Sequence, residues 1–412
     1  MTDGRGREHV LLATLRFDPH YGGVENSLRE LARLLSGDGH AVTIVAGDGA
    51  PPGAKRPPAR SEAYGARVRR FRAFGGVLVP LSILVAALLL WRLRRRDPPT
   101  RIVARHHYLV CALWLAGYRE VTYVVPTVVA SVDRTVREVR DARGQRGPTT
   151  GLSHALQRFA LRRAARVVTL SGLIADQVAR EGIARERVLV CPPGVQRERF
   201  APVGDDRRAV LRAELGLPER GQIAVALGRF VAEKGFDLAV DAAKHLPTGW
   251  TLVLVGDGPD RERVAARVAA TGSDAVLLHA PTRTPERYWQ AADVAVLPSR
   301  FEPFGQVLLE AVASGATVAA FSRGAGVHTA TEEVFEPTPG LVRYAHTLEP
   351  RALAAAIEAA ALARADPLTA RARDAFVRRY DWRRLADVAL ERATLRTRDD
   401  PTTVTGGEQR RG

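Results

Sequence analysis

The sequence predicts an α/β protein built from two successive parallel sheets, each covered by crossover helices. At 412 residues the chain is too long for one ordinary core. Short apolar runs alternate with amphipathic helical patterns in both halves, which is the pattern of βαβ units. The pattern lapses over a charged stretch with Pro and Gly at 195–222, which we interpret as the interdomain connection. We therefore expect two domains that face each other across a cleft.

The N-terminal domain is predicted to cover 1–200. A strand at 9–15 leads through a glycine-containing loop into a helix at 24–40, and a second strand follows at 41–47. Because parallel sheets bind ligands at the carboxyl ends of their strands, the glycine loop is expected at the cleft. Further strands are predicted at 100–107, 121–129, 166–172 and 187–194.

The C-terminal domain is predicted to cover 201–378 and to repeat the same pattern. A closing helix at 379–395 is expected to pack back on the N-terminal domain, and the polar tail 396–412 is expected to be disordered. The strands of this domain are predicted at 222–230, 250–259, 274–281, 293–299 and 315–322.

The composition indicates a globular protein of a reducing compartment. Cys111 and Cys191 are the only cysteines and lie far apart in sequence, so neither a disulfide framework nor a structural metal site is expected. The opening residues lack the basic and apolar regions of a secretion signal, which favours a cytoplasmic location. Net charge is +16 and only three basic residues are lysines, namely Lys55, Lys234 and Lys244. This arginine bias is more typical of codon usage than of nucleic-acid binding.

A basic and apolar segment at 69–96 is the main anomaly of the N-terminal half. Its apolar part, 77–91, would form a helix about 22 Å long. A membrane span needs ~20 apolar residues, which is more than this apolar part supplies. Between 55 and 105 there are 13 Lys or Arg and two acids. A helix packed on the sheet is the favoured interpretation. The alternatives are a face that dips into an anionic membrane surface and, least favoured, a true membrane span.

The second half carries the residues with the clearest chemistry. Arg229 and Lys234 surround a strand–helix turn, where two cations suit a diphosphate. Gly305 begins a helix whose free amides form an anion site. Glu302 precedes that helix and Glu310 lies within it, with seven residues between the two acids. Carboxylates in these places are suited to accept hydrogen bonds from sugar and ribose hydroxyls.

These motifs resemble those of a known enzyme family. The stretches "GRFVAEKG", "VGDGP", "VCPPGV" and "AADVAVLPSRFEPFGQVLLEAVASG" are similar to those of the retaining, GT-B-fold glycosyltransferases of family 4. The resemblance runs over roughly 9–395 and is most specific in the second domain. It implies two Rossmann-like domains that face each other across a donor and acceptor cleft.

The resemblance also implies roles for individual residues. Arg229 and Lys234 would neutralise the diphosphate of a nucleotide sugar and stabilise the leaving group. Glu310 would bind the ribose, and Glu302 would hold hydroxyls of the donor sugar. The remaining donor-binding positions would be the glycine loop and the amides of the helix start, at Gly22, Gly23, Phe304, Gly305, Gln306 and Val307.

One catalytic position in the first domain is implied less clearly. His106 best matches the histidine that the family places near the donor sugar, and His107 is the alternative. His20 and Asp18 lie on the glycine loop, where they would be close to an acceptor. Ala104 stands where the family more often has a histidine, and the loop after "ASG" departs from the family pattern, so the donor sugar stays open.

The reaction implied is transfer of a hexose-type sugar to a hydroxyl acceptor, with the nucleotide sugar as co-substrate and no other cofactor. No Asp-x-Asp triplet or metal-ligand cluster is present in the sequence, so no metal is expected. The acceptor is a cell-envelope glycan or lipid, or a small metabolite. One rival hypothesis is a sugar-nucleotide epimerase on the same fold. Another is a non-catalytic protein that binds a membrane or nucleic acid, although nucleic acid is disfavoured because its usual motifs are missing.

Overall fold

A computed structural model describes residues 7–20, 22–50, 55–141 and 151–391 of the chain. The predicted tail at 396–412 lies outside these residues. The N-terminal sheet has eight strands, in the order β3-β4-β2-β1-β5-β6-β7-β8. They are β1 His9–Ala13, β2 Ala41–Gly47, β3 Arg60–Ala63, β4 Ala66–Phe71, β5 Arg101–Ala104, β6 Thr122–Val125, β7 Arg166–Thr169 and β8 Val188–Val190.

All neighbours in this sheet are parallel except β3 and β4, which form an antiparallel hairpin at the edge. Alternate residues of β1 pack into different apolar layers, Leu11 on one face and Leu12 on the other. A strand buried on both faces reads as a continuous apolar run, which is why β1 was recognisable. Six helices cover the sheet: α1 Gly23–Gly37, α2 Val79–Arg96, α3 His107–Leu115, α4 Val129–Asp141, α5 Gly151–Arg163 and α6 Gly172–Arg180.

The C-terminal sheet is entirely parallel, in the order β11-β10-β9-β12-β14-β16. A separate two-stranded sheet pairs β13 with β15. The strands are β9 Gln222–Leu227, β10 Trp250–Val255, β11 Val276–His279, β12 Val294–Leu297, β13 Phe301–Glu302, β14 Thr317–Phe321, β15 His328–Thr329 and β16 Val342–Ala345. The helices before the last segment are α7 Asp205–Glu214, α8 Phe236–Ala243, α9 Arg261–Ala269, α10 Pro285–Ala291, α11 Gln306–Ala313, α12 Thr331–Phe335, α13 Pro350–Arg364 and α14 Pro367–Arg379.

The stretch at 195–222, expected to be an irregular connection, contains the regular helix α7. Two arginines of α7, Arg208 and Arg212, reach the buried carboxylate of Asp293; the Arg212–Asp293 distance is 2.8 Å. The charged pattern of this segment was misinterpreted because its ion-pair partner lies 81 residues away. A buried charge needs such partners, so α7 is attached to the second sheet by them.

The last helix, α15 Trp382–Ala389, packs against α1 of the first domain. Trp382 and Leu385 enter the same apolar layer as Leu28 and Leu31. Arg383 adds an ion pair of 2.7 Å with Asp38. The chain therefore returns to the first domain after completing the second.

The length predicted for the apolar segment at 77–91 is wrong. The helical segment runs over Gly76–Arg96, and by length and composition it could cross a membrane, with 28% of its apolar window buried inside the protein. The sequence estimate was short because it counted only apolar residues, and the arginines that follow continue the helix. Only one face of this helix packs against the core of the first domain, through Ile83, Ala86 and Leu90.

Candidate functional site

Lys234 lies on the short turn Ala232–Lys234, just after the carboxyl end of β9. The next residue, Gly235, has φ of 66°, and a Cβ there would lie 2.0 Å from the carbonyl oxygen of Pro298. Only glycine allows both the left-handed conformation and this close approach. The turn can therefore lie directly against the loop that follows β12.

Arg300 fixes this turn in place. Its backbone amide donates to the carbonyl of Glu233 at 2.8 Å. Its guanidinium makes a two-point contact with the carboxylate of Asp237, at 3.0 and 3.2 Å. Paired hydrogen bonds of this kind define orientation as well as distance. Arg300 was not identified from the sequence as a site residue.

Glu302 ends β13 and forms an ion pair with Lys234, whose Nζ donates to Oε2 of the carboxylate. Glu302 is only 7% exposed, so its charge is largely removed from water and needs this partner. Arg229 lies on the loop after β9 and is exposed. The predicted cations and the first predicted acid are therefore on neighbouring strand ends.

The start of α11 supplies backbone amides to the same place. Gly305 precedes the helix with φ of 85°. The side chain of Phe304 is buried and its ring lies 6.0 Å from that of Tyr380, so this residue anchors the loop. The first amides of a helix have no intrahelical partner and carry the positive end of its dipole. Gln306 and Val307 are in that first turn, with half-buried side chains.

Glu310 lies on α11 with an exposed fraction of 6%. Burial raises the pKa of Glu310 to about 7, and the positive charge of Arg199 opposes this shift. Its carboxylate lines a cavity of about 80 Å³. Side chains of both domains line this cavity, among them Asn26 and Arg33 of α1, Gln306 and Arg283.

The glycine loop meets the start of α11 across the cleft. A Cβ on Gly23 would lie 3.5 Å from the side-chain oxygen of Gln306. Gly22 and Gly23 are both exposed and mark the start of α1. The structure therefore brings Gly23 of the first domain next to Gln306 of the second.

His106 lies at the carboxyl end of β5 and caps α3. Its Nδ1 accepts a hydrogen bond from the amide of Tyr108 at 3.2 Å. Burial lowers the pKa of His106 well below its usual value, and His107 and Arg16 add to the effect. The ring is thus neutral, and because Nδ1 is an acceptor the proton lies on Nε2.

His107 faces the interior of the first domain. Its Nε2 lies 3.0 Å from the hydroxyl of Ser153 on α5, and it is 6% exposed. Burial lowers the pKa of His107 to about 4. Of the two adjacent histidines, His106 is the more exposed residue, and the two rings stack at 4.4 Å between centroids.

The two other first-domain residues considered for an acceptor are held by internal contacts. Asp18 pairs with Arg29, whose Nε donates at 3.0 Å. The Nε2 of His20 lies 3.1 Å from the carbonyl of Gly49. Both side chains therefore help to shape the glycine loop.

Contacts between the domains were not anticipated from the sequence. The hydroxyl of Ser171 donates to the carbonyl of Pro303, 2.6 Å away, in the loop that carries Glu302. Glu333 accepts from the amides of Gly172 and Leu173 at 2.6 and 3.1 Å, so an acid of the second domain caps α6 of the first. Such pairs have no local sequence signature because their members are 132 to 161 residues apart.

Two sheet domains that bring cations, the amide end of a helix and buried carboxylates to the cleft between them have an arrangement that suits an anionic ligand. Comparison with known proteins identifies the family. Residues 207–373 match the model of the glycosyl transferases group 1, and residues 22–194 match that of the glycosyl transferase 4-like domain.

A D-inositol 3-phosphate glycosyltransferase from Acidothermus cellulolyticus is 32% identical over 347 residues, which are 76% of this chain and 73% of that protein. A 2-deoxystreptamine glucosyltransferase from Streptomyces kanamyceticus is 35% identical over 198 residues, 46% of this chain and 49% of that one. A sucrose-phosphate synthase from Thermosynechococcus elongatus superposes with a TM-score of 0.75 at 22% identity, covering 94% of this chain and 98% of that one. The chain belongs to the family 4 glycosyltransferases of GT-B fold and is a glycosyltransferase.

Proposed function

We propose that the protein transfers a hexose-type sugar from a nucleotide-diphosphate sugar to a hydroxyl acceptor with retention of anomeric configuration. The observation that carries the proposal is the contact of Lys234 with Glu302 next to Gly305 at the start of α11, the helix that also carries the buried carboxylate of Glu310. Cations and helix amides suit a diphosphate, and a buried carboxylate suits a ribose diol.

In this proposal Lys234 exchanges partners when the donor binds. In the structure its ammonium pairs with Glu302. A diphosphate bound at the start of α11 would compete for that ammonium, and Glu302 would then be available to accept hydrogen bonds from sugar hydroxyls. The ion pair thus keeps both charges satisfied before the donor arrives, because an unpaired buried carboxylate is costly.

Leaving-group charge would be stabilised by protein groups. Arg229, Lys234 and the amide end of α11 would supply preorganised positive charge. In many enzymes such charge makes the largest single contribution to stabilising the transition state. In the part of the chain that the structure describes, no three His, Cys, Asp or Glu side chains form a metal-binding group. We accordingly propose a transfer that uses neither a metal nor a cofactor besides the nucleotide sugar.

For retention we propose attack on the face that the leaving group departs from. The bond between the anomeric carbon and the phosphate oxygen breaks, and the bond to the acceptor oxygen forms on the same side. The acceptor proton passes to the departing phosphate oxygen. The neutral His106, with its proton on Nε2, would donate a hydrogen bond to a hydroxyl of the donor sugar.

The acceptor is proposed only as a hydroxyl compound. The two relatives described above are named for D-inositol 3-phosphate and 2-deoxystreptamine, which supports a small hydroxylated metabolite. A cell-envelope glycan or lipid is the second candidate, because α2 exposes apolar side chains at the surface of the first domain. A panel of both acceptor kinds with one accepted donor separates them.

Product stereochemistry tests the proposal. Proton NMR of the product formed from an α-linked nucleotide sugar should show an α-linkage. A β-linked product would rule out retention. The donor is also incubated alone, since an isomerised nucleotide sugar in that sample would favour an epimerase.

A further inference from the structure

The helix α2 presents an apolar stripe to the outside of the first domain. Six of the twelve exposed large apolar side chains among the described residues lie on this one segment, so the exposure is concentrated rather than scattered. Five of the six recur at intervals of three or four residues and therefore share a helix face. The six are Val77, Leu78, Leu81, Leu84, Leu88 and Trp91, which we name the α2 stripe, exposed by 91, 50, 44, 58, 47 and 41%.

The opposite face of α2 holds the helix to the protein. Ile83, Ala86 and Leu90 are buried in the core of the first domain. The carbonyl of Leu90 also accepts from the hydroxyl of Tyr118 at 3.2 Å. Because α2 connects β4 to β5, two strands of one sheet, both of its ends are tied to that sheet. The helix therefore lies on the protein surface, and spanning a bilayer would require the sheet to come apart.

Positive charge surrounds the stripe. Arg72 precedes the helix and Arg92, Arg95 and Arg96 end it, and all four are exposed. Arg95 continues the stripe by one turn, and its guanidinium lies 4.3 Å from the ring centre of Trp91. No acidic residue occurs between positions 63 and 96. An apolar face bordered by arginines is complementary to a surface with acyl chains below anionic headgroups.

The α2 stripe begins near the cleft-facing edge of the first sheet. β4 runs parallel to β2, and β2 runs parallel to β1, whose carboxyl end carries the glycine loop. The loop after β4 therefore begins at the cleft-facing edge of the sheet. Val77 and Leu78 follow that loop, which the hydroxyl of Ser82 holds through the amide and carbonyl of Phe74 at 2.6 and 3.0 Å.

We propose that the α2 stripe and its arginines dock the protein on an anionic lipid bilayer, with α2 lying in the plane of the interface. Docking of this kind places the acceptor side of the cleft beside the membrane surface. The inference does not depend on the donor chemistry, because none of its residues belongs to the nucleotide-binding part of the cleft.

Cosedimentation of the full chain with vesicles tests this inference. Wild-type protein should bind phosphatidylcholine vesicles that contain phosphatidylglycerol, bind pure phosphatidylcholine far less, and be released by salt. The variant Leu84→Glu/Leu88→Glu should weaken binding to the anionic vesicles by about tenfold or more, since each change removes an apolar contact and adds repulsion. Arg92→Glu/Arg95→Glu should have a similar effect that is largest at low salt.

Matched controls separate docking from general surface effects. Leu362→Glu/Leu368→Glu alters two leucines that are 80 and 66% exposed in the other domain. Arg351→Glu/Arg371→Glu makes the same charge change at two exposed arginines of that domain. Both control proteins should bind vesicles as the wild type does. A thermal shift with a panel of nucleoside diphosphates on every variant verifies folding and reports nucleotide binding separately.

Two results would overturn the inference. One is wild-type protein that remains in the supernatant with anionic vesicles. The other is a dimer, seen by analytical ultracentrifugation, that Leu84→Glu/Leu88→Glu dissociates while vesicle binding is unchanged, because the stripe would then cover a second copy of the chain. Vesicle binding without nucleotide binding would leave docking intact and contradict the proposed glycosyl transfer.

Discussion

The two sides of the cleft present different chemical groups at the predicted site positions. The C-terminal side uses charged side chains that contact one another, as in the Lys234–Glu302 and Arg300–Asp237 pairs. The N-terminal side uses backbone and a neutral ring, namely the exposed glycine loop and His106. A binding surface for a diphosphate needs fixed positive charge, whereas a surface that meets a neutral sugar needs shape and hydrogen-bond donors.

This difference has an energetic consequence. A lost charge on the C-terminal side removes stabilisation where negative charge develops, and this costs the most in rate. A lost hydrogen bond on the N-terminal side costs about 1 kcal/mol. The predictions below run from the largest expected effect to the smallest.

The largest effect is expected for Lys234→Ala. Removing the ammonium should lower kcat/KM by about a thousandfold, because the leaving phosphate loses a preorganised cation. Steady-state kinetics with the accepted donor measure this. Lys244→Ala is the matched control, because Lys244 is a lysine of the same domain whose contact is an exposed pair with Asp241 at 3.2 Å. It should change kcat/KM by less than about twofold.

Lys234→Ala also leaves Glu302 buried without its partner, which lowers stability. The double variant Lys234→Met/Glu302→Gln avoids that charge and keeps the test valid if the single variant unfolds. A folded Lys234 variant of either kind with full activity would show that the ammonium does not stabilise the leaving group.

A smaller effect is expected for His106→Ala, a loss of about fivefold in kcat, because one hydrogen bond is worth about 1 kcal/mol. The loss should be constant across neutral pH, because the pKa of His106 lies well below its usual value and the ring does not titrate there. His107→Ala should instead lower the melting temperature, with kcat per folded molecule nearly unchanged. The opposite result would assign the role to His107.

The smallest effect is a pH dependence of donor binding. Burial raises the pKa of Glu310 to about 7, and in the proposed role the ionised carboxylate accepts hydrogen bonds from the ribose. The donor Kd should therefore rise as pH falls below 7, by at most about tenfold per unit. Titration calorimetry at several pH values checks this. Glu310→Gln should bind the donor more weakly, with a Kd that does not change with pH over this range.

The raised pKa of Glu310 also determines the direction in which folding stability changes with pH. The folded state disfavours the charged form, so the contribution of Glu310 becomes less favourable as pH rises from 4.5, the ordinary pKa, to about 7. Glu310→Gln should consequently melt at a higher temperature than the wild type above neutral pH. An equal or lower melting temperature there would argue against a buried carboxylate with a raised pKa.

Much of the fold could be predicted from the sequence because its central strands are buried on both faces. β1 and β9 were recognisable as apolar runs, and the mixed α/β architecture of two parallel-sheet domains is confirmed. The hairpin of β3 and β4 was missed because Arg67, Arg69 and Arg70 interrupt the apolar pattern of β4. The helix α7 was missed because its charges pair with a distant residue.

For the cleft, local motifs identified the residues on strand ends and failed for contacts between distant segments. Lys234, Glu302 and Glu310 belong to short motifs, and the structure places Lys234 and Glu302 in contact. Ser171 and Glu333 belong to no motif that the sequence displays, since their partners are set by the folded arrangement of the two domains. Arg300 lies inside a recognised motif, but its partner Asp237 is 63 residues away. The roles assigned to all these residues stay predictions.

The central claim is that the C-terminal side of the cleft holds the diphosphate and ribose of a nucleotide sugar. Calorimetric titration of a panel of nucleotide sugars into wild-type and Glu310→Ala protein tests it most directly. The account predicts that at least one donor binds the wild type and that Glu310→Ala binds the same donor at least tenfold more weakly, about 1.4 kcal/mol. Equal binding by both proteins, or binding of no donor by the wild type, would contradict it.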